Sequence, residues 1–130
     1  MNQRPISPHL GVYKFMYTMS LSILHRLTGC AAATGFLLFA WWLMALASGP
    51  AAYATAMHAL SSPLAKLLLV GFTFSFVFHF CNGIRHLVWD TGRGLERAQA
   101  RRSGAMVVVA ALLLTALTVW FGCRAFGLAP

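Results

Sequence analysis

Three long stretches of the 130-residue chain contain no charged side chain, and this feature constrains the fold more than any other. The uncharged stretches lie between Arg26 and Lys66, between Lys66 and Arg85, and between Arg102 and Arg124. Each stretch holds the roughly 17–25 apolar residues that a helix needs to cross a bilayer. Only 9% of the residues are charged, whereas an average soluble domain has about 25%. The sequence therefore predicts an all-α membrane protein.

The three stretches predict three transmembrane helices within one membrane domain that covers residues 1–130. The predicted spans are residues 22–48, 63–89 and 104–126. Ser62 and Pro63 form a typical helix start, because serine caps a helix and proline suits the first helical position. The weakly apolar stretch 53–60 before them predicts a short additional helix at the membrane interface.

The basic residues predict the orientation of these spans. The chain contains 10 Lys and Arg residues but only 2 Asp and Glu residues, for a net charge of +8. The positive charges cluster before the first span and around the connection 90–103, whereas the connection 48–62 has none. This alternation follows the positive-inside rule, so we expect the N-terminus and the 90–103 connection on the cytoplasmic or matrix side. Because the basic residues are distributed as the positive-inside rule requires, the net positive charge does not indicate a nucleic-acid partner, and we expect none.

The N-terminal segment, residues 1–18, favours a bacterial inner membrane as the location. It does not show the basic region and short apolar core that together define a cleavable secretory signal. Nor does it show the long, Arg- and Ser-rich composition of a mitochondrial transit peptide. The mitochondrial inner membrane is therefore the less favoured alternative.

A stripe of polar residues follows one face of the second predicted span. Its members recur at offsets of 4, 4, 3 and 4 and are Ser75, His79, Gly83, His86 and Asp90. Polar side chains within a bilayer normally face the interior of a helix bundle. His79 and His86 lie about 10 Å apart along such a helix, so a haem iron held by His79 would place its propionates near His86 and Arg85. Gly83 would leave room for the flat macrocycle, and imidazole is the usual axial ligand of a b-type haem.

Two other roles for these histidines stay open from the residues alone. A histidine on a membrane helix often only donates a hydrogen bond to a neighbouring helix. His79, His86 and Asp90 also suit a proton relay or an ion pathway. The first alternative predicts a haem-free scaffold, and the second predicts a small transport protein.

A second polar group lies near the start of the first predicted span. Ser22 and Arg26 are four residues apart and share a helix face, with Gly29 three residues beyond them. His25 is turned about 100° away from that face. The hydroxyl and the guanidinium suit a carbonyl group of a lipid-soluble ligand. Alternatively, Arg26 extends to lipid headgroups and Ser22 bonds its own helix.

Three motifs, one in the N-terminal segment and one in each of the first two spans, resemble those of the cytochrome b-type membrane-anchor subunits of succinate dehydrogenase. They are RPISPHL at Arg4–Leu10, SILHRLTG at Ser22–Gly29, and H-x-x-x-G-I-R-H-L-x-W-D at His79–Asp90. The layout of three spans extends the resemblance to nearly all of the chain. The resemblance implies that the three helices form part of a heteromeric helix bundle, with the N-terminus inside.

The resemblance also implies a role for each candidate residue. The implied haem b contacts are His79 as the axial ligand of the iron and His25, Arg85 and His86 in the region of the propionates. The residues that match the family's ubiquinone site are Ser22 and Arg26. In the family, the second axial ligand comes from the smaller membrane-anchor subunit, so the haem is shared between two chains.

An activity and further partners follow from the same resemblance. Succinate dehydrogenase acts in the tricarboxylic acid cycle and passes electrons from succinate through flavin and iron–sulfur clusters to ubiquinone. Its membrane anchor holds the iron–sulfur subunit and the flavoprotein subunit at the bilayer, and the anchor chain is not catalytic alone. A related alternative is a fumarate reductase-type anchor that uses menaquinone.

Overall fold

A computed structural model of the chain describes residues 16–125, which form four helices joined by short turns. The helices are α1 (Tyr17–Ala47), α2 (Pro50–Leu60), α3 (Pro63–Asp90) and α4 (Arg97–Ala125). The motif at Arg4–Leu10 lies outside the described residues. The helical secondary structure of residues 16–125 confirms the all-α class that the sequence predicts.

Three of the helices have the dimensions of membrane spans. Helices α1, α3 and α4 contain 31, 28 and 29 residues, and at 1.5 Å per residue they are about 42–47 Å long. The hydrocarbon core of a bilayer is about 30 Å thick. Each of the three helices is also apolar enough to cross a membrane. The three apolar helices expected from the uncharged stretches are therefore confirmed.

Helix α4 begins at Arg97, before the start at residue 104 that the apolar stretch predicts. The additional residues have the sequence RAQARRS, and alanine, arginine and glutamine all favour helix formation. Charged side chains limit which part of a helix lies inside the bilayer, but they do not end the helix itself. Helix α1 likewise begins at Tyr17, before the predicted start at residue 22. The helices therefore extend beyond the predicted spans.

The turns on both sides of α2 follow the local sequence. Gly49 has a φ of 107°, in the left-handed region that favours glycine, and Pro50 follows as the first residue of α2. At the start of α3, the Ser62 hydroxyl accepts a hydrogen bond from the backbone N–H of Ala65 at 3.2 Å. This contact confirms the predicted helix start at Ser62 and Pro63. Helix α2 is the short additional helix that the sequence predicts.

Helix α3 packs against both α1 and α4 and forms the centre of the bundle. A small apolar cluster joins the three long helices and consists of Leu21, Phe78, Val107 and Ala111. Close approach of α1 and α3 depends on Gly35, because the Phe72 ring fills the space where a side chain would start. Small residues commonly allow such contact between membrane helices.

Most apolar side chains of the long helices face away from the chain. Leu37 on α1, Leu67 on α3 and Met106 on α4 are 73%, 68% and 67% exposed. A surface this apolar is unsuited to water, and it suits contact with lipid or with other membrane helices. The chain therefore has the surface of one part of a membrane assembly.

Candidate functional site

Three histidine rings form a stack between α1 and α3. The His25 ring of α1 lies nearly parallel to the His79 ring of α3, with their centroids 4.0 Å apart and their planes at 10°. The His25 ring also stacks on His86, at 5.0 Å and 16°. Because His79 and His86 are seven residues apart, about 10 Å along a helix, the His25 ring lies between them. The structure thus brings together three of the predicted site residues.

The position of His25 next to His79 cannot be read from either helix alone. The relative position of α1 and α3 is set by packing, which places Gly29 of α1 directly against the His79 ring. His25 precedes Gly29 by about one helical turn, and its ring therefore reaches His79.

The His79 ring is oriented by a contact with the backbone of α1. Its Nδ1 atom lies 3.0 Å from the carbonyl oxygen of His25. A carbonyl oxygen only accepts hydrogen bonds, so Nδ1 carries the proton and donates it in this contact. The other ring nitrogen, Nε2, then has a free lone pair. A neutral imidazole in this state is a typical metal ligand, and the hydrogen bond on Nδ1 fixes its orientation.

The other two histidines of the stack have different surroundings. Nδ1 of His86 lies 2.8 Å from the carbonyl oxygen of Asn82, one turn earlier in α3. The His86 ring also contacts Trp89 edge to face, with the centroids 5.2 Å apart. Nδ1 of His25 is buried and has no hydrogen-bond partner among residues 16–125. A buried polar atom without a partner calls for a ligand or another chain to complete it.

The stack fits a haem better than it fits a bare metal ion. Within the described part of the chain, no group of three or more His, Cys, Asp or Glu side chains is placed to hold a metal ion. One free Nε2 on His79 suits a single axial bond to a haem iron, and the unpaired Nδ1 of His25 suits a carboxylate.

Arg85 points away from the stack and joins α3 to α4. Its Nε donates to the Ser103 hydroxyl at 2.9 Å, and its two terminal nitrogens donate to Asn82 Oδ1 at 3.2 Å and to the Ala100 carbonyl at 2.9 Å. The guanidinium carbon also lies 3.9 Å from the centroid of the Trp89 ring. Arg85 is only 6% exposed. The structure therefore does not bring Arg85 to the histidines with which the sequence grouped it.

Asn82 is the site residue that the sequence reasoning missed. It is fully buried and contacts two of the predicted residues, since its Oδ1 accepts from Arg85 and its carbonyl oxygen lies next to Nδ1 of His86. Its Nδ2 has no hydrogen-bond partner within residues 16–125. The signal was present in the sequence, because a side-chain amide inside an apolar span is costly unless it is bonded.

Ser22 and Arg26 lie on the exposed side of α1. They are one helical turn apart and share a face, as their spacing predicts. Arg26 directly follows His25 in the sequence, so the two residues lie at nearly the same height along α1 but point about 100° apart. The exposure of Ser22 and Arg26 leaves a hydroxyl and a guanidinium open to a ligand or to a neighbouring subunit.

A cavity of about 530 Å³ lies at the end of the bundle formed by α1, α2 and α3. Its lining includes Phe39, Trp41, Trp42 and Phe72 and has no titratable side chain. Neither the histidines nor Ser22 and Arg26 contribute to it. It therefore has no part in the polar site described above.

The fold and the site define a class of protein, namely a membrane-spanning helical subunit with an imidazole-rich polar centre. Comparison with known families identifies it further. Residues 1–118 match the model of the succinate dehydrogenase/fumarate reductase transmembrane subunit. The chain therefore belongs to this family.

Individual relatives agree with the family match. The chain is 42% identical over 116 residues to the succinate dehydrogenase cytochrome b556 subunit of Rickettsia prowazekii, covering 89% of this chain and 90% of the relative. It is 38% identical to the subunit of the same name from Paracoccus denitrificans, with 89% of each chain covered. It is also 40% identical to the mitochondrial cytochrome b560 subunit of Mus musculus, covering 86% of this chain and 68% of the relative. These findings confirm the resemblance found in the sequence motifs.

Proposed function

We propose that this chain, the cytochrome b membrane-anchor subunit of succinate dehydrogenase, binds haem b jointly with a partner subunit and forms part of the ubiquinone-reduction site. Its role as the anchor rests on the family match and on the relatives named above. The haem assignment rests chiefly on one observation. Nδ1 of His79 is bonded to the His25 carbonyl, which leaves Nε2 free to bind iron.

His79 is the proposed axial ligand, and His25 and His86 are the proposed contacts of the haem propionates. When bound, a haem supplies a centre that accepts and releases one electron. The hydrogen bond from Nδ1 of His79 to the His25 carbonyl fixes the orientation of the ring and so holds Nε2 in place. The buried Nδ1 of His25 lacks a partner within residues 16–125, and a propionate oxygen would satisfy it. The sequence grouped Arg85 with these residues, but its guanidinium already donates hydrogen bonds to α4. These bonds favour a role in holding α3 against α4.

Ser22 and Arg26 are the proposed ubiquinone contacts. The Ser22 hydroxyl donates a hydrogen bond to a quinone carbonyl oxygen, and the Arg26 guanidinium stabilises the negative charge that develops there during reduction. Such electrostatic stabilisation is strongest where water is excluded. The exposed position of both side chains on one face of α1 supports this assignment.

The proposed assembly places this chain among three other subunits and the lipid bilayer. By the family resemblance, a smaller anchor subunit would supply the second haem ligand, and His79 would supply the ligand from this chain. The iron–sulfur and flavoprotein subunits dock at the end of the bundle that carries Arg26 and the α3–α4 connection. That end faces the cytoplasm of a bacterium by the positive-inside rule. The exposed apolar faces of the helices support contact with a partner and with lipid.

A reduced-minus-oxidised absorbance spectrum of the purified complex tests the haem assignment. The His79→Ala variant is expected to assemble and to lose the b-type band. His58→Ala is the matched control, because His58 is an exposed histidine on α2, away from the stack. The control is expected to keep the band. Normal haem content in His79→Ala would refute the assignment and favour a scaffold or a proton relay.

Quinone reduction by the purified complex tests the second assignment. Arg26→Ala is expected to lower the rate of ubiquinone reduction on the order of 100-fold while succinate oxidation by a soluble artificial acceptor continues. Arg124→Ala, near the other end of the bundle, is the matched control and is expected to keep both activities. Unchanged ubiquinone reduction in Arg26→Ala would contradict the assignment, whereas equal loss of both activities would indicate failed assembly. Parallel assays with menaquinone distinguish the fumarate reductase-type alternative.

A further inference from the structure

The His79 ring rests directly on Gly29 of α1. A Cβ atom built at Gly29 would lie 2.8 Å from Cε1, 3.1 Å from Nδ1 and 3.7 Å from Nε2 of His79. Carbon atoms in ordinary contact are about 3.5–4.0 Å apart. The imidazole therefore occupies the space that any side chain at position 29 would need.

This relation is specific to Gly29 among the glycines of residues 16–125. A Cβ atom at Gly71, Gly83 or Gly122 would meet no neighbouring atom, and one at Gly35 would meet the apolar ring of Phe72. The sequence pointed to Gly83 as the glycine that leaves room for a flat macrocycle, and within this chain the space next to Gly83 is open. The close approach to the His79 ring itself occurs at Gly29.

We propose that Gly29 is a positioning residue for the haem ligand His79, because its missing side chain lets the imidazole reach the His25 carbonyl. The inference rests on the proposed role of His79 as the axial ligand. The hydrogen bond from Nδ1 to this carbonyl assigns the proton to Nδ1 and leaves Nε2 as the nitrogen with a free lone pair. Gly29 thus determines which nitrogen binds iron and how strongly that nitrogen donates electrons.

A methyl group at position 29 would displace the ring. Moving Cε1 from 2.8 Å to ordinary contact requires a shift of about 0.7 Å. The Nδ1–O distance is now 3.0 Å, and a shift of this size takes it past the about 3.5 Å at which a hydrogen bond is lost. A coordinated imidazole without this bond is a weaker electron donor. Ferric haem should therefore lose more stability than ferrous haem, and the midpoint potential should rise.

The first test compares Gly29→Ala with Gly71→Ala in the whole purified complex. Loss of a hydrogen bond that orients a ligand typically lowers metal affinity about 10–100-fold. If only the ferric haem is bound tenfold more weakly, the midpoint potential of this one-electron couple rises by about 59 mV. Gly29→Ala is expected to show this shift, lower haem content and altered electron paramagnetic resonance g-values. Gly71→Ala should match wild type, and a Gly29→Ala variant identical to wild type in all three would overturn the inference.

A double-mutant cycle covers the case in which Gly29→Ala fails to assemble. The three nearest atoms to a Cβ at this position all belong to His79, so the substitution should be tolerated once the ring is removed. The yield of assembled complex is measured for His79→Ala with and without Gly29→Ala. Equal yields are expected. If Gly29→Ala lowers the yield as much in the His79→Ala background as in wild type, Gly29 serves helix packing alone and the inference fails.

Failure of the inference is distinguishable from failure of the haem assignment. If His79→Ala keeps its haem, the assignment of the ligand is wrong and the inference falls with it. If His79→Ala loses its haem and Gly29→Ala behaves as wild type, the ligand stands and only the role of Gly29 is refuted.

Discussion

Replacing Arg85 with alanine tests whether its buried guanidinium holds α3 against α4. The side chain donates to the Ser103 hydroxyl at 2.9 Å, to Asn82 Oδ1 at 3.2 Å and to the Ala100 carbonyl at 2.9 Å. Two of these bonds cross from α3 to α4, and the third lies within α3. The guanidinium also covers the Trp89 ring. The substitution therefore removes a polar network rather than a single contact.

The size of the effect follows from the number of bonds. A side-chain hydrogen bond in a membrane protein contributes about 0.6 kcal/mol on average and up to about 1.7 kcal/mol. Three such bonds predict a loss of about 2–5 kcal/mol in the free energy of unfolding. Ser103 also donates to the Ala100 carbonyl at 3.2 Å, which keeps that carbonyl satisfied. The fully buried Asn82 amide is left without its arginine donor, and an unsatisfied buried acceptor adds its own penalty, so the loss should fall toward the upper end of this range.

The assay is thermal unfolding of the purified complex, together with its haem spectrum. Arg85→Lys is the matched control, since lysine keeps the charge but lacks the planar fork that reaches several acceptors. Its loss should be smaller than that of Arg85→Ala, because a lysine ammonium can still donate hydrogen bonds but cannot reach all three acceptors at once. Complexes of Arg85→Ala that survive purification are expected to keep the position of the haem band. Loss of haem at unchanged thermal stability would refute this reasoning and place Arg85 at the propionates.

Gly35→Ala and Trp89→Phe test the packing of α3 against its neighbours, with Gly71→Ala as a control. Gly35→Ala is expected to destabilise the complex by about 1–3 kcal/mol, because the new methyl group meets the Phe72 ring. Gly71→Ala should not destabilise it, because a side chain at Gly71 meets no neighbouring atom and alanine favours a helix more than glycine does. Thermal unfolding measures the stability of both variants. Equal effects of Gly35→Ala and Gly71→Ala would contradict the close contact between Gly35 and Phe72. Trp89→Phe removes the bond from the indole N–H to the Gly94 carbonyl at 3.0 Å. It should speed amide hydrogen exchange in the α3–α4 connection, and unchanged exchange would disprove that role.

Much of the fold could be predicted from the sequence because the bilayer imposes few choices. An apolar stretch without charges must satisfy its backbone internally, and a helix does so with local hydrogen bonds. The spans and the cap at Ser62 depend only on neighbouring residues, and the structure agrees with both. The family relationship was also readable, since it depends on motifs rather than on coordinates.

The position of Arg85 could not be predicted in this way. Arg85 and His86 are adjacent, so both lie near the same membrane depth, and the sequence grouped them as possible propionate contacts. Adjacent residues on a helix nevertheless point about 100° apart. His86 faces α1 and stacks on His25, whereas Arg85 faces α4 and bonds to Ser103. Which helix covers which face is a property of packing that residue spacing along α3 does not contain.

The contact between Gly29 and the His79 ring could not be predicted from the sequence either, because it also depends on packing between helices. The importance of Gly29 depends on the relative shift of α1 and α3 along their axes, and a shift of one turn would move the His79 ring by about 5.4 Å. The ring would then face another residue of α1, and its Nδ1 would lose the His25 carbonyl. Close contacts at Gly35 and Phe72, about two turns farther along α1, hold the two helices at this register. Packing in the apolar part of the bundle therefore determines the chemistry of the histidine stack, although the two regions share no residue.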